Sequence, residues 1–88
     1  MSKIKTEIYK TDDFFLSSFL LGSGIEIQAV EPYPDNEKKY IFCFFNTKRL
    51  QELREDYLSS KAKISPQDYE GARRKLKSII FSDRKFEL

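Results

Sequence analysis

Apolar and polar positions alternate at the start of the chain, with Ile4, Thr6 and Ile8 set against Lys5, Glu7 and Tyr9. This period of two predicts a half-exposed strand over residues 3–10. The period then lengthens. Phe14, Phe15, Leu16, Phe19, Leu20 and Leu21 form a wide apolar helical face, with Thr11 as the expected N-cap and Asp12 and Asp13 in the acid-favouring first turn. Gly22 and Gly24 serve as stop signals. Alternation returns in Ile25, Ile27 and Ala29 against Glu26, Gln28 and Val30. A turn through Pro32-Tyr33-Pro34-Asp35-Asn36 follows, and then the β-prone run Tyr40-Ile41-Phe42-Cys43-Phe44-Phe45. Two strands so joined predict an antiparallel hairpin.

Thr47 caps a second predicted helix with an inner stripe of Leu50, Leu53, Tyr57 and Leu58, ended by Ser59 and Ser60. After Ala62-Lys63-Ile64, a short candidate strand, Ser65-Pro66-Gln67-Asp68 is a helix start: a serine cap, proline at the first position and an acid at the third. The last helix is expected to run to about Phe81 on a stripe of Tyr69, Ala72, Leu76, Ile79 and Ile80. The expectation is one α+β domain over residues 1–82, a small antiparallel sheet with three helices, and a frayed tail over residues 83–88. The element order permits a ferredoxin-like β-α-β-β-α-β arrangement with an added C-terminal helix. If residues 3–10 or 62–64 are irregular, a hairpin packed by three helices remains.

Composition narrows the chemistry. Eighty-eight residues provide one core, and folding itself consumes most of the apolar side chains. No apolar run approaches the ~18 residues of a membrane span, and the opening Met-Ser-Lys-Ile-Lys lacks the apolar centre of a signal peptide, so a cytoplasmic location is expected. With one cysteine, Cys43, no intrachain disulfide forms, and without histidine neither the usual zinc sites nor a histidine general base is available. Cys43 sits within an apolar run and reads as a small packing residue. Asp12 and Asp13, adjacent on a helix and so about 100° apart, read as capping residues rather than paired catalytic carboxylates. Gly22-Ser23-Gly24 lacks the spacing of a phosphate loop. No catalytic residue, cofactor, metal ligand or small-molecule substrate is evident, and a protein that works by binding is expected.

Charge supplies a candidate partner. The formal net charge is only +2, but acids dominate between Thr11 and Thr47, and the basic excess lies at the two ends and in the second half. Lys38, Lys39, Tyr40 and Phe42 form one candidate nucleic-acid site, with the rings available for stacking. Arg73, Arg74 and Lys77 on the last helix form another, suited to phosphates. The octamer Lys38 to Phe45 resembles that of the RNA recognition motif in its leading base and alternating rings, although Lys39 and Ile41 stand where that motif has small residues. Alternation places Tyr40, Phe42 and Phe44 on one face and Ile41, Cys43 and Phe45 on the other, and both are apolar. The strand is therefore either covered on both sides or open on one to bases or to a protein. A long amphipathic last helix laid across the rings is the competing arrangement, because it removes the stacking surface.

Tyr9-Lys10-Thr11-Asp12, the helix with Leu16, Leu20 and Leu21, Gly24, and the strand ending Phe44-Phe45 resemble a family of short bacterial and phage proteins known as a domain of unknown function. The similarity continues through Asp56-Tyr57, Ala62-Lys63-Ile64, Tyr69 and Leu76-Lys77-Ser78-Ile79-Ile80. The resemblance implies a small accessory protein of phage or mobile-element context, and it carries no catalytic residue, cofactor or substrate. Two functions follow as expectations. The first is nucleic-acid association through Lys38, Lys39, Arg73, Arg74 and Lys77 with Tyr40 and Phe42. The second is a protein-interaction module or inhibitor, acting as a homodimer through the aromatic strand.

Overall fold

The computed structural model describes residues 7–86. Its elements are β1 (Ile8–Thr11), α1 (Phe14–Gly22), β2 (Ile27–Tyr33), β3 (Asn36–Phe45), α2 (Lys48–Leu58) and α3 (Pro66–Phe86). The three strands form one antiparallel sheet in the order β1-β3-β2, with β3 in the centre. The architecture is α+β, with three helices, as expected. Residues 62–64 form no strand, so the fourth strand of a ferredoxin-like sheet is missing among the described residues. The chain passes directly from α2 into α3. Residues 3–6 of the first predicted strand lie outside the described residues. α3 continues past Phe81 to Phe86, so residues 83–86, expected as tail, belong to the helix.

Side-chain caps explain the helix starts. The Thr47 hydroxyl accepts from the Leu50 amide at 3.1 Å, and the Ser65 hydroxyl from the Asp68 amide at 3.0 Å. The cap of α1 is Asp13 rather than Thr11: its carboxylate accepts from the Phe15 and Leu16 amides, both at 3.0 Å. The Thr11 hydroxyl instead accepts from the Asp13 amide at 3.1 Å, bracing the turn before the cap. Gly24 ends the α1 exit with φ of +104°, a backbone conformation that suits glycine. Gly22 is needed for another reason: a side chain there would meet Ile64 and the Asp68 backbone at the start of α3.

One face of the sheet carries the core. Phe42 and Phe44 of β3 pack with Leu16, Phe19 and Leu20 of α1, Leu50 of α2 and Leu76 of α3. Tyr9 and Thr11, facing Phe44 and Phe42 in register, lie on this side, and Ile8 points to the other, opposite Phe45. The alternation in β1 thus runs with Tyr9 inward. In β2, an irregularity between Ile27 and Ala29 lets both Ile27 and Val30 join the core cluster. Ala29, which strict alternation would place with Ile27, turns outward and is exposed. In α2, Leu53 and Tyr57 pack against the core, whereas Leu58 is 62% exposed and is not part of the inner stripe.

Candidate nucleic-acid interface

The helix-covered face settles where the aromatic residues of β3 lie. Phe42 is 2% exposed, with its ring edge-to-face against Phe14 at 6.2 Å. Phe42 is therefore a core residue and offers no ring to a base. Phe44 is wholly buried and Tyr40 only partly so. α1 supplies most of this cover, with Leu50 and Leu76 beside it, so the expected rivalry between stacking and helix packing ends in packing.

The candidate cations fare differently. A shallow groove of about 220 Å³ is lined by Asp12 and Phe14 before and in α1, Lys38, Lys39, Tyr40 and Phe42 on β3, and Ile80 on α3. On the α3 side, the Arg73 guanidinium lies 6.0 Å from the centre of the Phe14 ring. Lys77, four residues after Arg73 and three before Ile80, stands on the same side of the helix. Lys38 on β3 and Arg73 and Lys77 on α3, from segments far apart in the chain, thus flank one groove, whereas Lys39 borders it but carries its ammonium towards the Tyr33 ring and Asp12. Arg74 is not among them: it points away, over a shallow hollow with Pro66, Gln67, Glu70 and Gly71.

Acids offset part of this charge. Lys39 Nζ is 3.4 Å from Asp12 Oδ2 and lies over the Tyr33 ring at 5.2 Å. Arg73 donates to Glu70 Oε1 at 2.8 Å, and Arg74 Nε is 3.7 Å from Glu70 Oε2. These are partly exposed pairs, each contributing little to stability. Among the described residues, Lys38 and Lys77 take part in no ion pair. Phe14 and Ile80 each read in sequence as ordinary helix packing, so the pattern does not announce them as groove residues. Asp12, which in sequence reads as part of a helix first turn, lies before α1 and pairs with Lys39.

The opposite face of the sheet carries no helix among the described residues. Ile8 and Phe45 lie side by side there in register, 43% and 41% exposed. Cys43 at the centre is 2% exposed, because Lys10 from β1 and Glu31 from β2 meet across β3 at 3.4 Å. Burial, and after it the Glu31 charge, push the Cys43 thiol above its ordinary pKa, with Lys10 acting weakly the other way. That is the setting of a packing thiol rather than a nucleophile.

No cluster of three or more metal-ligating side chains occurs among the described residues, and no helix among them is long and apolar enough to cross a membrane. Comparison with curated proteins and with solved structures gave no match in either case. The match of residues 6–82, most of the chain, shows that the protein belongs to the family DUF5659, a domain of unknown function.

Proposed function

We propose that the domain is a non-enzymatic binding protein whose ligand is single-stranded nucleic acid, held along the groove between β3 and α3. The observation that supports this reading is that cations from two distant segments, Lys38 on one side and Arg73 and Lys77 on the other, flank a groove whose lining includes the Phe14 and Tyr40 rings. Phosphates would take the cations and a base would rest against the Phe14 and Tyr40 rings, the combination that binds single strands with little sequence preference. Phe42 has only a supporting role beneath the groove.

The reading predicts electrostatic affinity. With about three phosphates neutralised, the logarithm of affinity falls with the logarithm of salt at a slope of about −2. Raising salt from 50 to 200 mM then weakens binding roughly fifteen- to twenty-fold. Fluorescence anisotropy of a labelled oligothymidylate or oligouridylate measures this directly. The double variant K38A/K77A is expected to bind more weakly, with a shallower salt slope. Absence of binding at low salt, salt-independent binding, or full affinity in the double variant each rejects the reading.

A further inference from the structure

We infer that the open edge of β3, beyond the end of β1, receives an extended peptide segment that continues the line of β1 as an added strand, apolar at one position and acidic two residues on. The inference goes beyond nucleic-acid binding and does not rest on it. The edge exists because the strands differ in length. β1 pairs with residues 42–45 of β3 and stops, whereas β2 follows the other side of β3 from Phe44 to Asn36. Residues 36–41 therefore have no strand on the β1 side among the described residues.

The hydrogen bonds identify what this edge presents. The Asn46 amide donates to the Glu7 carbonyl at 2.9 Å, so the residues of β3 that turn their backbone groups to this side are Phe44 and Phe42, and next Tyr40 and Lys38. Asp13 would face Tyr40, but it has left the sheet to cap α1. Its amide donates to the Thr11 hydroxyl at 3.1 Å, and its carbonyl accepts from the Ser17 amide at 3.0 Å. The Lys38 amide donates to Asn36 Oδ1 at 2.8 Å. The Tyr40 amide and carbonyl and the Lys38 carbonyl are left for an incoming strand, the template on which strand addition works.

Alternate side chains of such a strand find a hollow on each face of the sheet. On the helix-covered side is the groove with Phe14, Tyr40 and Ile80, and on the other a hollow of about 330 Å³ with Thr11, Tyr33 and Ile41. Asp12 borders both, which places both at this edge. A strand antiparallel to β3 that sets an apolar side chain opposite Tyr40 sets the residue two further on opposite Lys38. Lys38 is exposed and takes part in no ion pair among the described residues, so an acid is its complement. A second copy offering this same edge would bring its own Lys38 and Lys39 to these cations and is disfavoured. The added strand fills the hollow beside Phe14 and Tyr40, so it and a nucleic acid exclude one another there.

The test is an NMR titration of the isotope-labelled whole chain with the peptide acetyl-Phe-Thr-Glu-Thr-Glu-amide to millimolar concentration. Saturable binding is expected, with the largest shifts at the amides of residues 38–41 and slowed hydrogen exchange at the Tyr40 amide. Methylating the peptide's Phe nitrogen or its first Glu nitrogen, which face β3, is expected to weaken binding at least about fivefold, and methylating the first Thr nitrogen, which faces away, to leave it unchanged. K38E, verified as folded by circular dichroism, is expected to bind about three- to tenfold more weakly. No saturable binding, equal weakening at the Phe and Thr nitrogens, or undiminished binding to K38E overturns the inference. Oligonucleotide titration of the same protein keeps the two readings apart. Peptide binding without oligonucleotide binding upholds the strand site and rejects the nucleic-acid groove, and the reverse result upholds the groove and rejects the strand site.

Discussion

Replacing Phe42 separates a structural ring from a ligand-binding one. The side chain is 2% exposed and packs in one cluster with Leu16, Leu20, Phe44 and Leu76, its ring edge against Phe14. Truncation to alanine removes that burial and leaves a cavity, at a cost of about 3–5 kcal/mol. A domain of this length has about 4–13 kcal/mol of total stability, so F42A is expected to lie near the limit of folding. F42L keeps most of the volume and is expected to cost about 1–2 kcal/mol. At a urea dependence of about 1 kcal/mol per molar, the unfolding midpoint falls by roughly 1–2 M. A ring that stacked on a base would behave in the opposite way, losing about 1–3 kcal/mol of affinity with little change in stability. Urea melts and oligonucleotide titrations on F42L together decide the matter. An unchanged midpoint with affinity down tenfold or more would refute the core assignment.

Other substitutions probe other parts of the packing. The Ser17 hydroxyl is fully buried and has no hydrogen-bond partner among the described residues, so S17A is expected to match or exceed the wild-type melting temperature, and a loss above about 1 kcal/mol would show a hidden partner. G22A would put a methyl group 2.6 Å from Ile64 Cδ1 and 3.0 Å from the Asp68 carbonyl oxygen, costing about 1–3 kcal/mol in thermal melts. G71A meets nothing within 4 Å inside α3 and is expected to gain up to about 1 kcal/mol from helix propensity, so equal effects at the two glycines would contradict the packing of α1 on α3. Burial is the first cause raising the folded pKa of Cys43, Tyr57 and Tyr69, so the unfolded chain ionises first and their stabilising effect is complete only below the unfolded values. Urea stability is expected to fall as pH rises above about 8.5, and C43A to flatten the first part of that fall, up to about pH 10; a profile rising through this range would contradict it.

What was legible in the sequence was what local chemistry decides. Thr47 and Ser65 announce their helices because a hydroxyl beside free amides satisfies them whatever the rest of the chain does. The Pro34-Asp35 turn between β-prone runs likewise gave the hairpin. Positions set by partners far along the chain were less legible. Tyr9 turns inward because its hydroxyl accepts from Arg54 Nε of α2 at 3.0 Å, a contact across 45 residues that no short-range pattern contains. The irregularity near Gln28 breaks the alternation of β2 and exchanges the expected places of Ala29 and Val30. Both faces of β3 are apolar, so the pattern alone could not choose which the helices would cover. Of the candidate site, Lys38 and Lys39 are exposed residues of β3. The nearness of Lys38 to Phe14, Arg73 and Ile80 depends on the docking of α1 on α3, which no short-range pattern contains.

The strand order also bears on how the chain assembles over time. β2 and β3 are joined by a tight turn, whereas β1 must find the far edge of β3 across all of α1 and the hairpin. Closing that longer loop costs about 2–3 kcal/mol more in chain entropy than closing the hairpin, so β1 is expected to dock after the hairpin has formed. Among the described residues four of β1 hold it to β3, against the seven of β2. Native-state amide hydrogen exchange should accordingly show β1 opening at lower free energy than the hairpin, making this edge the first part of the sheet to let go.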